Sequence, residues 1–149
     1  MPTCMSTPTA LIEIPGFTLH SSVGGRISRT DYLGQVSVVM VFLPDLKASL
    51  HALLPFQDHL AEFGLAKCQV LAVASELVST VREFADRHNL EIPLLADESG
   101  EIARELNLES ACHPVVLVAD RDCVVRESVT FPNVHIEGVL DRVRRIGEA

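Results

Sequence analysis

The stretch PVVLVADRDCVVRESV, residues 114–129, decides the fold of this chain. It begins with the apolar run at residues 115–119, turns at the polar residues 120–122, and continues as a second β-prone run at 123–129. Two such runs joined by a short polar turn predict an antiparallel β-hairpin. Apolar residues at helical spacing follow at Ile136, Val139, Leu140, Val143 and Ile146. We therefore expect the chain to close with a hairpin and a final helix.

Before this hairpin, apolar strands alternate with amphipathic helices. Near-continuous apolar runs, which are typical of parallel strands buried on both faces, occur at residues 36–43, 68–74 and 92–96. Apolar residues at helical spacing occur between these strands, at residues 50–63, 77–88 and 102–106. Strands that alternate with helices imply right-handed crossovers and a central sheet that is covered on both faces.

The beginning of the chain adds two short strands to this pattern. Residues 12–21 and 25–32 read as strands of a hairpin that turns at Gly24-Gly25. Residues 1–9 are rich in Ser, Thr and Pro and are expected to form a flexible N-terminal arm. Residues 10–149 are then a single α/β domain. A closing hairpin followed by a helix indicates a thioredoxin-like fold, with a central mixed sheet, helices on both faces and an N-terminal β-hairpin extension.

Charge and hydropathy exclude several kinds of partner. The formal net charge is −8, and an acidic surface repels nucleic-acid phosphates and anionic lipid. The longest apolar run, VVMVFLP at residues 38–44, is too short to span a bilayer, and the N-terminus lacks the features of a signal peptide. We therefore expect a cytoplasmic protein with no nucleic-acid or membrane partner. The basic residues Arg142, Arg144 and Arg145 are interpreted as the solvated end of the last helix.

The four cysteines are Cys4, Cys68, Cys112 and Cys123. They are scattered, without a CxxC pair, so the sequence predicts neither a zinc site nor a disulfide framework. Cys68 and Cys123 stand in apolar, strand-like runs and are expected to be buried thiols. No cofactor is predicted.

Four segments in this order resemble the alkyl hydroperoxide reductase C / thiol-specific antioxidant family, the peroxiredoxins. They are PGFTLHSSVGGRISRTDYLGQ (15–35), VSVVMVFLPD (36–45), IPLLADESGEIARELNL (92–108) and PVVLVADRDCVV (114–125). The resemblance covers about residues 12 to 146 and implies a thioredoxin fold and a thiol-dependent peroxidase activity. It also implies a homodimer, since many relatives pair through sheet edges or beside the active-site loop.

The family's catalytic cysteine has no counterpart in this chain. In the family, this cysteine opens the helix that follows the strand ending here in Phe42-Leu43-Pro44-Asp45. Different alignment registers place the cysteine on Ser49 or on His51. Ala48 then stands at the position of a helper threonine or, in relatives with two cysteines in this loop, of the first cysteine. The chain has no cysteine between Cys4 and Cys68. The family's arginine is also absent from Ala111-Cys112-His113-Pro114. Superfamily resemblance further implies a cis peptide bond before Pro114, with His113 approaching His51 and Ser49.

Three hypotheses remain open at this point. In the first, the protein lacks thiol peroxidase activity and keeps the fold for binding, assembly or regulation. In the second, it is a redox enzyme that uses a relocated cysteine, Cys112 or, less favourably, Cys68. In the third, it is a small-molecule or metal-binding module at His51 and His113, with Asp45 as a further ligand. Apart from these roles, Ser49 is expected to cap the helix that Pro55 kinks.

Overall fold

The computed structural model describes residues 13–131 and 133–148. Its strands are β1 (Thr18–His20), β2 (Arg26–Ser28), β3 (Ser37–Leu43), β4 (Cys68–Ala74), β5 (Leu94–Ala96), β6 (Val115–Ala119) and β7 (Val125–Thr130). Its α-helices are α1 (Leu50–Asp58), α2 (Leu60–Leu65), α3 (Val78–His88), α4 (Glu101–Glu105) and α5 (Ile136–Glu148). The expected N-terminal arm lies outside the described residues. No helix within them is both long and apolar enough to cross a membrane.

The main sheet has five strands in the order β5-β4-β3-β6-β7. Strands β3, β4 and β5 are parallel, whereas β6 runs antiparallel to β3 and β7 runs antiparallel to β6. The hairpin predicted from residues 114–129 is therefore confirmed, as is the mixed sheet. Strands β1 and β2 form a separate antiparallel pair, and both Gly24 and Gly25 have the positive φ that its turn requires.

The core lies on both faces of the main sheet. All seven residues of β3 are buried, which explains the unbroken apolar run in the sequence. On one face, Val39 and Val41 belong to a cluster completed by side chains of α1, α2, α3 and α5. On the other face, Val38 and Met40 pack with α4 and with residues from the N-terminal part of the domain, such as Ile14. Helices thus cover both faces, as predicted.

The turn between β6 and β7 is tied together by one carboxylate. Asp120 Oδ1 accepts hydrogen bonds from the backbone N–H groups of Asp122 and Val124, at 2.9 and 3.1 Å. Cys123 follows in the left-handed region, at φ 61°. Strand β7 consequently begins at Val125, two residues later than the sequence predicts.

The helix predicted at residues 50–63 is split into α1 and α2 at His59. Pro55 lies inside α1 and supplies no N–H to the helical ladder. One turn later, the His59 side chain is hydrogen-bonded to the Pro55 carbonyl oxygen, which lies 2.8 Å from His59 Nδ1. The break therefore follows the expected proline, but it falls four residues after it.

Candidate functional site

Two segments singled out from the sequence lie side by side at one end of the sheet. In the antiparallel pairing of β3 with β6, Phe42 is opposite Val115. Residues 113–114 therefore lie next to the point where β3 ends and the chain enters residues 44–51. We call this the site end of the sheet; it contains the carboxyl ends of β3, β4 and β5.

Ser49 is buried at the site end and does not cap the helix. A 3-10 turn at Lys47–Ser49 leads directly into α1, and Ser49 is only 2% exposed. Its hydroxyl donates a hydrogen bond backwards to the Asp45 carbonyl, and α1 has no side-chain cap. The predicted capping role was therefore wrong: a capping hydroxyl accepts from backbone N–H groups and stands on extended backbone, whereas Ser49 follows the 3-10 turn at φ −104° and ψ 2°.

His51 lies on the first turn of α1 and is exposed. Its ring meets Phe131 edge-on, with the two ring centroids 6.0 Å apart. The backbone N–H of Phe131 donates to the Pro114 carbonyl at 3.0 Å. Phe131 thus connects the two predicted segments. The sequence does not single out Phe131, because this residue follows the last strand and belongs to neither segment.

The site end offers little to a metal ion. Among the residues that the structure describes, no three His, Cys, Asp or Glu side chains are grouped so that they could hold one. His113 is exposed on the bend before β6. The pairing of Phe42 with Val115 places His113 close to Pro44, the residue that follows β3. The structure thus places the His113 segment beside residues 44–51, but Asp45 does not complete a three-ligand site with His51 and His113.

Two of the cysteines are buried at the other end of the sheet. Cys68 begins β4, opposite Ser37, and Cys123 lies in the β6–β7 turn. Burial raises the pKa of the Cys68 thiol to about 12. Burial also raises the pKa of the Cys123 thiol, against a smaller opposing effect of Arg29. The prediction of two buried thiols is confirmed, and both are protonated at neutral pH.

Cys112 stands apart from these two, because it lies at the site end, two residues before Pro114. It is exposed, with its sulfur 3.8 Å from the Ser110 carbonyl oxygen. It is also disulfide-bonded, which its isolated position in the sequence did not predict. Spacing along the chain does not reveal such a bond, since the bond depends on which segments the fold brings together.

A groove of about 740 Å³ opens beside the loop that follows β3. The loop contributes Asp45, Leu46 and Lys47 to one wall. The β4–α3 connection and helix α3 supply the other wall, which is formed by Glu76, Thr80, Glu83, Phe84, Arg87 and His88. This groove is of a size that admits small molecules. It does not include Ser49, His51 or His113, so these three residues do not line a shared pocket there.

Comparison with known proteins identifies relatives of this chain. Residues 12–128 match the model of the AhpC/TSA family. The chloroplastic peroxiredoxin Q of Gentiana triflora is 30% identical over 93 residues, which is 61% of this chain and 42% of that protein. The matched region thus spans less than half the length of this relative.

Solved structures show the same fold. Peroxidoxin BcpB from Mycobacterium tuberculosis superposes with a TM-score of 0.70 at 20% identity, covering 97% of both chains. A cysteine-to-serine mutant of PrxQ from Xylella fastidiosa superposes with a TM-score of 0.77 at 16% identity, covering 95% of this chain and 97% of that one.

Proposed function

Because the chain belongs to the AhpC/TSA family, we propose that it keeps the thioredoxin-like fold of that family without thiol peroxidase activity. One observation carries the proposal: the loop and first helical turn at residues 44–51 contain no sulfur atom. The positions at which the family's catalytic cysteine would stand hold Ser49 or His51, and Ala48 stands where a helper residue is expected.

The chemistry of peroxide reduction explains why these substitutions matter. A thiolate attacks one peroxide oxygen, the O–O bond breaks, and the sulfur is oxidised to a sulfenic acid while water or an alcohol leaves. Neither a hydroxyl nor an imidazole can take up the oxygen in this way. The Ser49 hydroxyl is in addition buried and hydrogen-bonded to a backbone carbonyl. No described side chain is hydrogen-bonded to it as a base.

The two free buried cysteines do not replace the missing one. Cys68 and Cys123 are at the end of the sheet opposite to the site end, and their raised pKa values keep them protonated. A buried thiol with a high pKa is a poor nucleophile because only the thiolate reacts. We infer that both serve as apolar core side chains.

A redox role of Cys112 is the second candidate function. Its place beside Pro114 at the site end favours it, and the disulfide bond is an oxidised state of this sulfur. Reduction of that disulfide by a dithiol would release a thiol next to the loop at residues 44–51. This second candidate and the first predict different results in a single assay.

That assay is peroxide consumption with thioredoxin or a dithiol as reductant, since both reduce accessible disulfides. The wild type, Cys112→Ser and Cys68→Ser are compared, with free dithiol alone giving the background. We expect no turnover above background for any of them. Turnover well above background that Cys112→Ser abolishes, and that Cys68→Ser leaves unchanged, would instead establish the relocated cysteine.

Two further variants test the site itself. Ser49→Cys and His51→Cys each place a sulfur at the start of α1, one buried and one exposed. If the remaining scaffold is intact, the variant in the correct register gains a thiol that peroxide oxidises, read as an added oxygen by intact mass. Cys4 and the other native sulfurs are the internal control in the wild type.

Other expectations stay part of the proposal. A homodimer is tested by light scattering at micromolar concentration, where a mass near 16.3 kDa would show a monomer. The cytoplasmic location and the cis peptide bond before Pro114 also stay predictions. A small-molecule role at His51 and His113 would require that a ligand shift the NMR signals of both imidazoles together.

A further inference from the structure

A second groove lies at the end of the sheet that is opposite to the site end. Its volume is about 610 Å³, within the range of small-molecule sites. The basic groove, as we call it, is lined by Ser37, Ala66, Lys67, Asp120, Arg121, Asp122, Arg126, Arg142, Arg145 and Ile146. Four separate parts of the fold form it: the start of β3, the α2–β4 connection, the β6–β7 hairpin and the end of α5.

The charge of this groove is the reverse of the charge of the whole chain. The chain carries 12 basic and 20 acidic side chains. Five of those basic side chains line the basic groove, together with only the two acidic side chains Asp120 and Asp122. The sequence interpretation of Arg142, Arg144 and Arg145 as a solvated helix end is therefore incomplete. Arg142 and Arg145 belong to the groove, whereas the Arg144 guanidinium lies 4.0 Å from Glu62.

Several donors in the basic groove are not used within the protein. Within the described part of the chain, Lys67 and Arg121 form no ion pair and no side-chain hydrogen bond. Arg126 donates only its Nε to Asp120, at 2.7 Å, so both terminal nitrogens stay available. Arg142 uses Nε and one terminal nitrogen on Glu127, which leaves its other terminal nitrogen. Arg145 uses one terminal nitrogen on Asp141.

The backbone that carries Lys67 and Arg121 is held in place. Lys67 has a φ of 57°, and its carbonyl accepts a hydrogen bond from Ser37 N–H at 3.2 Å. The Arg121 carbonyl accepts one from Gly34 N–H at 2.6 Å. Asp120 ties the hairpin turn through its bonds to the backbone of residues 122 and 124. Because the backbone of these walls is already ordered, less conformational entropy is lost when a ligand binds than would be lost in a flexible loop.

We propose that the basic groove binds a small molecule that carries a multiply charged phosphate group. Lys67 and Arg121 are paired with no described carboxylate, whereas Asp120, Glu127 and Asp141 partly neutralise the three other cations. The unpaired charges and the remaining terminal nitrogens of the arginines suit a ligand with several acceptor oxygens in little space, as in a diphosphate or triphosphate group. Guanidinium groups match the oxygens of phosphate in paired hydrogen bonds. Ala66 and Ile146 add an apolar surface for the rest of the ligand. A nucleic acid is disfavoured by the net charge of −8 on the chain as a whole.

The test is calorimetric titration of the full-length protein with sodium tripolyphosphate at near-physiological salt. We expect one saturable site per chain. Arg121→Glu should weaken binding about tenfold, because one exposed cation becomes an anion beside the ligand. Arg26→Glu is the matched control: it makes the same charge change on exposed β2, away from the groove, and should weaken binding less than about twofold. Circular dichroism of both variants shows that the fold is kept.

Three results would overturn the proposal. Equal weakening by both variants would show a general effect of net charge. The absence of saturable binding by the folded wild type would show that the cations are only solvated. Tighter binding of a single-stranded oligothymidylate than of tripolyphosphate, with a steeper salt dependence, would make nucleic acid the partner. This test is independent of the peroxidase assay, since it involves neither a cysteine nor residues 44–51.

Discussion

The same strands form both ends of the main sheet, yet the two ends differ in chemistry. The site end has the loop and helix start at residues 44–51, which hold Ser49 and His51 and contain no sulfur atom. The opposite end has two free thiols and five cations, but its thiols are buried. Burial raises the pKa of Cys68 and Cys123 and so keeps them protonated. Sulfur alone therefore does not make a redox site.

The largest effect is expected from the core that α1 and α2 cover on one face of the sheet. Phe56 is fully buried on α1 and stacks on Phe63 with ring centroids 5.8 Å apart. Phe56→Ala should lower the free energy of unfolding by ~3–5 kcal/mol, measured by urea denaturation. Leu54→Ala on the same helix is the control, because Leu54 is 42% exposed and should cost about 1 kcal/mol or less. Similar costs for both would mean that α1 does not pack through the Phe56 face.

The second prediction concerns the buried thiol at the opposite end. Burial raises the Cys68 pKa from 9.0 to about 12, so the folded protein holds this proton more tightly than the unfolded chain. The resulting stability is fully present below pH 9 and is lost as the pH rises toward 12, by at most ~1.4 kcal/mol per pH unit.

Urea denaturation of the wild type and Cys68→Ala at pH 8 and pH 10.5 measures this loss. Cys68→Ala removes the thiol, so other groups that titrate in the same range cancel in the comparison. The stability gap between the two proteins should narrow by up to about 2 kcal/mol at the higher pH. A gap that is constant between the two pH values would show that Cys68 is accessible to water in the folded state.

The third prediction uses the backbone of the hairpin turn. Cys123 has a φ of 61°, where a side chain costs about 1 kcal/mol that glycine does not incur. Cys123→Gly should therefore be more stable than Cys123→Ala by ~1 kcal/mol, the reverse of the order inside helices. Thermal unfolding of both variants gives this difference. A more stable alanine variant would mean that residue 123 does not adopt the left-handed conformation in solution.

The smallest effect is expected for the exposed imidazole at the site end. His51 is exposed and meets the Phe131 ring edge-on. His51→Ala should change the free energy of unfolding by about 0.5 kcal/mol or less. The double variant with Phe131→Ala measures the coupling between the two rings, which should not exceed that value. A much larger cost would give His51 a role in the fold that its exposure does not indicate.

The sequence by itself determined most of the architecture. Apolar runs of strand length and apolar residues at helical spacing predict the order of elements, because burial on both faces leaves no polar alternation in a strand such as β3. The absence of a cysteine between Cys4 and Cys68 likewise needs no structure to be seen. The position of the break between α1 and α2 was not predicted. It falls at His59, whose ring nitrogen lies 2.8 Å from the Pro55 carbonyl oxygen, and the apolar spacing along residues 50–63 gives no sign of this contact.

Only the tertiary structure decided which segments of the chain lie next to each other. Pairing of Phe42 with Val115 brings residues 113–114 to the loop after β3, and Phe131 joins them from the end of β7. The basic groove gathers Lys67, Arg121 and Arg142 from distant parts of the sequence. Local patterns report which residues are buried, because burial leaves apolar runs in strands and apolar residues at helical spacing in helices. Local patterns do not report which side chains meet, because contacts depend on how the strands pair and on how the connections between strands cross the sheet.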